Sequence, residues 1–434
     1  MSTYADFLAA KESRVPAAGR TITAADVHPV LHPWQADLVR WAVKTGRAAL
    51  WADTGMGKTM MQLEWARLSS GGGRALVIAP LAVCQQTVRE AAKLDIPAYY
   101  AATSDEMDHR YGDIAVTNYE RLHNFSPHMF DAVVLDESSI LKQSDGKTRT
   151  MLIEWVQDVP HRLACSATPA PNDPEELTNQ AEWLGHMTRT HMLAAYFIHD
   201  QDGWRLKKHG RRPMYEWMAQ WAVALRKPSD VGGDDTGYDL PGLDIRTHLL
   251  PVDITPVDQL FATELGGVSG RAEVRRLTLD ARVARAAELV AAEPSEPWLL
   301  WCGLNAEAEA LAKAIPGAVN VHGSMDPDEK ARLLLAFGDG EIPVLITKPQ
   351  IASLGMNWQV CARMAFVGLS DSYEAYYQGI RRCYRYGQQR VVQAHIVLSE
   401  LESQIADNVK AKERQSSEVT DGLIANATWK GVAA

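Results

Sequence analysis

The stretch WADTGMGKTM, residues 51 to 60, brings together residues suited to holding phosphate: Thr54, Gly55, Met56, Gly57, Lys58 and Thr59. A glycine-flanked turn at the head of a helix lets backbone N–H groups approach phosphate oxygens, and the helix dipole adds partial positive charge there. Lys58 is then the side chain that reaches the outer phosphates, and Thr59 offers its hydroxyl to Mg²⁺. The full Walker pattern wants glycine where this chain has Ala52, so the match is to the shorter form Ala-x-x-Gly-x-Gly-Lys-Thr. A tight strand-to-helix turn without a ligand is the bland alternative. It is disfavoured by the apolar run before the turn and the helical pattern after it. A second acidic site fits the first. In DAVVLDESS, Asp136 can hold a metal ion and Glu137 can polarise an attacking water, since phosphoryl transfer needs positioning and charge stabilisation more than covalent help. A third group lies in YYQGIRRCYRYGQQR, where a helix would put Arg382 and Arg385 on one face and aim both at one target. Its bland reading is a solvated basic surface.

Elements to position these residues are legible along the chain. Apolar residues before the glycines and KTMMQLEWARL after them read strand, loop, helix; ALVIAP reads as a strand buried on both faces. GDIAVTNYERL, DAVVLDESS and HRLACSATP give three further strands, each ending in polar residues where a parallel sheet presents its carboxyl edge. A second alternating series starts near Leu277 and runs through PWLLWCG, AVNVHG, IPVLIT, RMAFVGL and VVQAHIVL, with helices between and a helix over YEAYYQGIRRCYR. The expected fold is α/β, with two doubly wound parallel sheets in tandem. The segment around 186–245 breaks the alternation and is basic and aromatic, then rich in Gly and Asp, as a linker would be.

Composition narrows the class. The chain has 434 residues, 46% hydrophobic and 23% charged, without a run long enough to span a bilayer. The start MSTYADFLAAKESR has no secretory pattern, so a cytosolic protein is expected, with no membrane as partner. Cysteines 84, 165, 302, 361 and 383 are scattered singly and read as small buried hydrophobes rather than a disulfide or zinc framework. His186, His191 and His199 lack the clustered partners of a metal site. With a net charge of −10 the molecule is no general polycation, so phosphate contacts would need a local basic surface. Lys207, Lys208, Arg211 and Arg212, with tryptophans nearby, are the candidate for a groove on nucleic acid. Trp217 and Trp221, four apart, read instead as helix core.

Taken in order, Gln35 in LHPWQADLVRWA, ADTGMGKT, LVIAPLAV, VTNYERL, LDESS, CSATPAPN, HGSMDPDEKARLLLAFGDG, SLGMNWQ and QGIRRCYRYGQ resemble the motifs of superfamily 2 helicase-like ATPases. The last, with Gln378, Arg382, Arg385, Gly387 and Gln388, is most similar to that of the Swi/Snf-type DNA translocases. ALRKPSDV followed by DLPGLDIRTHLLPVDIT also resembles that family's linker between two ATPase lobes. The resemblance implies two RecA-like lobes: an N-terminal extension over 1–24, lobe 1 over 25–185, the insertion and linker over 186–245, lobe 2 over 246–413 and a polar tail over 414–434. It implies ATP and Mg²⁺ as cofactors. Gln35 would read the adenine edge, Gly55, Gly57, Lys58 and Thr59 the phosphates and metal, Asp136 the metal, and Glu137 would be the base. Ser166, Thr168 and Gln378 would couple nucleotide state to movement. Gly355 and Asn357 would face the nucleotide cleft, and Arg385, with Arg382, would be the arginine finger. Pro80, Thr117 and Asn118 would touch a nucleic-acid backbone, which fixes register without reading sequence. Relatives usually carry a histidine near the end of the motif that reads Asp-Glu-Ser-Ser here, so the polar link it makes is in question. The function implied is a nucleic-acid-stimulated ATPase that moves on duplex DNA, a bare motor of the kind bacteria and their viruses encode, targeted by some protein partner. A strand-separating helicase, an RNA-remodelling enzyme and an ATP-gated clamp without directional motion are the rivals.

Overall fold

The computed structural model describes residues 15–107, 114–142, 146–201, 203–251, 275–352 and 356–427. The chain divides into two compact units, Met1–Thr236 with Arg414–Ala434, and Gly237–Glu413. Among the described residues no helix is long and apolar enough to cross a membrane.

The first unit is built on β1 (Arg47–Ala52), β2 (Ala75–Ala79), β3 (Ala98–Tyr100), β4 (Ile114–Asn118), β5 (Ala132–Leu135), β6 (His161–Cys165) and, after the antiparallel hairpin β7 (Phe197–Asp200) and β8 (Gly203–Leu206), β9 (Ala222–Leu225). The seven strands of the main sheet are parallel in the order β3-β4-β2-β5-β6-β1-β9. Continuous apolar runs such as ALVIA in β2 and AVVL in β5 are buried throughout, as a sheet covered on both faces requires. The turns after β1, β2, β4, β5 and β6 all open at the carboxyl edge, where ligands of open α/β sheets bind.

β9 lies inside the stretch read as an insertion. Its AVAL run is buried and pairs in parallel with β1, Ala49 against Ala222 through Ala52 against Leu225. The helix before it, Arg211–Met218, buries Met214, Tyr215, Trp217 and Met218, and Trp221 is fully buried. The tryptophans are therefore core, as their spacing predicts.

The second unit contains β10 (Leu243–Leu250), β11 (Trp298–Cys302), β12 (Ala318–Val321), β13 (Val344–Thr347), β14 (Arg363–Val367) and β15 (Val392–Ser399), all parallel in the order β10-β15-β14-β11-β13-β12. β10 begins within the stretch expected to be linker and pairs along its whole length with β15. Arg282, Glu307 and Glu402 form a buried charged network with the half-buried Arg275: Arg282 meets Glu307 at 2.7 Å, Arg275 meets it at 2.9 Å, and Glu402 lies 3.7 Å from Arg282. Charges this deeply buried are tolerated only when paired.

The helix Ser403–Asn426 corrects the expectation of a polar tail after Glu413. Its earlier residues Ile405, Ala406 and Val409 join the second unit's core, and its later residues Val419 and Leu423 join the first unit's. The tail reads as polar because few apolar residues suffice: Val419 and Leu423 share one helical face, and Gly422 lies so close to Tyr215 that a Cβ there would sit 2.2 Å from the ring. All five cysteines are buried thiols.

Leu423→Ala is expected to cost roughly 2–4 kcal/mol in the unfolding of the first unit, and Gly422→Ala to destabilise it through the clash; urea denaturation monitored by tryptophan emission checks both. A pH effect is also expected. Burial holds His186, whose Nε2–H donates to the Arg47 carbonyl at 2.9 Å, at a pKa of about 4, and burial with the adjoining His248 does the same for His395 in the second unit. A histidine whose pKa is depressed in the fold stabilises the protein above its unfolded value, and that contribution is lost as pH falls from about 6.5 towards 4. The urea midpoint should fall across this window, and less steeply in His186→Gln.

Candidate active site

β1 delivers the chain to a loop that only glycine permits at two points. Gly55 has φ +86° and Gly57 has φ +75°, after which the helix Lys58–Ser70 begins. A Cβ on Gly57 would lie 2.4 Å from Nε2 of Gln35, so the loop and that side chain occupy adjoining space. Gln35, buried near the start of the helix Pro33–Thr45, donates to the Met56 carbonyl at 3.0 Å and accepts from the His32 N–H at 2.9 Å. It props the loop. Lys58 folds its ammonium back onto the carbonyls of Ala52, at 2.7 Å, and Asp53, at 3.2 Å. The Thr54 N–H is held by the Asp53 carboxylate at 2.6 Å, and Thr59 stands partly exposed in the first helical turn.

Asp136, just beyond β5, is only 6% exposed. Burial pushes its carboxyl pKa up, while the amide of Gln62 and the charge of Lys58 pull it down. Gln62 donates from Nε2 to Asp136 Oδ1 at 2.7 Å; it is fully buried, and its own Oε1 has no hydrogen-bond partner. Sequence reasoning missed Gln62, although it lies one helical turn beyond Lys58 on the same face. Glu137 has φ +47°, in the left-handed region, and its Oε2 accepts from Ser166 Oγ at 3.4 Å. Ser166 Oγ accepts in turn from the Thr168 N–H at 3.0 Å. The structure thus joins Glu137, Ser166 and Thr168 in one chain. A further polar tie lies here: Gln180 donates to the carbonyls of Ser138, at 2.9 Å, and Pro169, at 3.3 Å, linking the turns after β5 and β6.

In the second unit the arginines do not share a helix. The helix Tyr373–Ile380 stops before them: the N–H groups of Arg382 and Cys383 turn to the carbonyls three residues back, Gly379 and Ile380, and the Arg382 carbonyl is taken by the Trp358 N–H at 2.9 Å. A common target survives all the same. Nη1 of Arg382 and Nη1 of Arg385 both donate to the Met356 carbonyl, at 3.2 and 3.3 Å, and Gln378 Oε1 accepts from Arg382 Nη2 at 2.7 Å. Gln388 fixes the same turn by donating to the carbonyls of Gln359, Cys361 and Cys383. Asn357 is exposed beside Met356; Gly355 lies outside the described residues.

The candidate nucleic-acid residues are placed unevenly. Thr117 and Asn118 end β4 and are buried, the Asn118 side chain held by Glu120 and by the Tyr100 hydroxyl. Pro80 precedes the helix Leu81–Ala92, whose first residue is 61% exposed. Of the basic residues, Lys207 donates to the Ala194 and Ala195 carbonyls and so caps the helix Arg189–Tyr196, while Arg211 pairs with Glu418 and Arg212 with Glu216. Lys208 is exposed. Carboxylates therefore offset much of the charge expected to form a groove. No group of three or more metal-ligating side chains occurs among the described residues, His186, His191 and His199 included.

The donor set around the loop is oxygen: the Thr59 hydroxyl and the Asp136 carboxylate, with Gln62 tying their helix and strand together. It suits a hard cation such as Mg²⁺ accompanying a triphosphate.

Two family models match the chain. A DEAD/DEAH box helicase domain model matches residues 32–177, which contain the glycine loop, Asp136, Glu137, Ser166 and Thr168. A helicase conserved C-terminal domain model matches residues 283–387, which contain Gln378, Arg382 and Arg385. No curated protein matches the chain. Among solved structures, the Sulfolobus solfataricus SWI2/SNF2 ATPase core in complex with dsDNA is similar over 96% of this chain and 97% of that chain, at 17% identity and a TM-score of 0.45. With its two domain models together covering more than half of its length, the chain belongs to the superfamily 2 helicase-like ATPases, enzymes that hydrolyse ATP.

Proposed function

We propose that the protein is a nucleic-acid-stimulated Mg-ATPase of Swi/Snf type that translocates on or remodels duplex DNA. The observation that carries the hydrolytic half is the Gln62 bond to Asp136, which ties the phosphate-loop helix to the carboxylate strand and brings both groups to one sheet edge. The duplex-DNA half is supported by the motif around Gln378, Arg382, Gly387 and Gln388.

The parts divide the work as follows. Backbone N–H groups from Gly55 to Lys58 bind the β-phosphate, the Thr54 N–H joining them once it leaves the Asp53 carboxylate, and Lys58 leaves the Ala52 and Asp53 carbonyls to meet the γ-phosphate. Thr59 and Asp136 would hold Mg²⁺, which when bound neutralises charge on the phosphate oxygens. Glu137 orients the attacking water and accepts its proton, with Ser166 holding the carboxylate. Arg382 and Arg385 are the guanidinium groups offered to the developing charge on the γ-phosphate, and in doing so they exchange the Met356 carbonyl for phosphate oxygens. Gln35 senses the adenine edge through the same amide that supports Met56. Lys208, the exposed start of the helix after Pro80 and the exposed turn at Glu120 and Arg121 are the proposed contacts to a nucleic-acid backbone, because Thr117 and Asn118 themselves are too buried to reach one. Such contacts give affinity that falls steeply with salt.

Lys58→Ala is expected to abolish turnover and weaken ATP binding, whereas Glu137→Gln should bind ATP normally and hydrolyse it at least roughly a hundredfold more slowly. Arg385→Ala should lose about a thousandfold in kcat. Phosphate release with no nucleic acid, single-stranded DNA, duplex DNA or RNA tests the substrate. Turnover greatest with duplex DNA, together with ATP-driven displacement of a third strand from a triplex, is the expected result. Unwinding of a forked duplex without triplex displacement would replace translocation by strand separation, and displacement of neither would leave an ATP-gated clamp.

A further inference from the structure

Tyr119 directly follows Thr117 and Asn118 at the end of β4, and its side chain is buried. Its hydroxyl donates to the backbone carbonyl of Asp136 at 2.6 Å. β4 and β5 are not neighbours: β2 lies between them, with Ile78 paired to Thr117 on one side and to Leu135 on the other. The hydroxyl therefore bridges the carboxyl end of β2, from the turn carrying the proposed nucleic-acid contacts to the turn carrying the proposed base.

The carbonyl it holds belongs to the peptide unit joining Asp136 to Glu137. Orientation of that plane sets φ of Glu137, which is +47°. A positive φ at glutamate is strained and persists only where the surroundings hold it. Several hydrogen bonds hold the backbone here: the Asp136 N–H donates to the Ile78 carbonyl at 2.9 Å, Tyr119 donates to the Asp136 carbonyl, the Glu137 N–H donates to the Asp136 carboxylate, and the Ile140 N–H donates to the Glu137 carbonyl at 3.0 Å. The Tyr119 hydroxyl is the restraint on the carbonyl side of that plane, and without it the plane gains freedom to turn and to carry the Glu137 carboxylate off Ser166.

We propose that Tyr119 is a positioning residue that transmits nucleic-acid engagement at the end of β4 to the orientation of Glu137. It acts through a backbone carbonyl and touches no substrate. The inference rests on the proposed function, in that nucleic acid binds near Thr117 and Asn118 and accelerates hydrolysis.

Tyr119→Phe keeps the ring and deletes only the donor. Its kcat in saturating duplex DNA should fall about tenfold or more, as expected when a reacting group is misplaced, while KM for ATP and the duplex affinity by fluorescence anisotropy stay within about twofold of wild type. In the Glu137→Gln background the same change should add nothing to the loss, because it acts through that carboxylate. Wild-type stimulation with undiminished kcat in Tyr119→Phe would overturn the inference alone. So would a loss of DNA affinity that accounts for the lower rate, or an additive effect in the Glu137→Gln background. Wild-type turnover indifferent to every nucleic acid would remove the functional reading, and this inference with it.

Discussion

A carboxylate withdrawn from water needs a partner, and for Asp136 that partner is the amide of Gln62. Left bare, such a group would protonate or open the site to solvent. Because the amide comes from the helix that begins with Lys58 and Thr59, the hydrogen bond that keeps Asp136 tolerable also sets the distance between the glycine loop and that carboxylate. The neighbouring turns then attach by single polar links, Ser166 to Glu137, Gln180 to Ser138 and Pro169, and Tyr119 to the Asp136 carbonyl.

The residues legible in the sequence are those whose role is local. Gly55 and Gly57 announce a backbone that side-chain-bearing residues cannot follow, and their positive φ angles bear that out. The buried strands announce themselves by unbroken apolar runs, and both parallel sheets follow from their alternation with helices. Gln62, Gln180 and Tyr119 were silent because each partner is remote, 74, 42 and 17 positions away, and a glutamine in a helix looks like any solvent-facing residue. β9 was hidden for a different reason. Its four apolar residues stand among arginines, lysines and tryptophans, and only pairing with β1 distinguishes a short edge strand from a linker.

The second unit shows how a pattern can be right about a destination and wrong about a path. Spacing of three suggested that Arg382 and Arg385 converge because helices bring such residues together. They do converge on the Met356 carbonyl, but through a turn stabilised by side-chain-to-backbone bonds from Arg382 and Gln388. A turn of this kind stores its shape in hydrogen bonds that a competing anion can replace. A helix would have held the two groups by its backbone ladder alone.

The close approach of Gly57 to Gln35 has a consequence for inheritance. Position 57 has no room for a Cβ while Gln35 keeps its place, and Gln35 keeps its place by bonding the residue next to 57. Position 57 is held to glycine by its φ of +75° whatever stands at position 35, so the burden of change falls on the glutamine. A lineage that exchanged it for a shorter side chain would vacate the volume beside the loop and lose the brace on Met56 in the same step, with no residue at 57 able to fill the space.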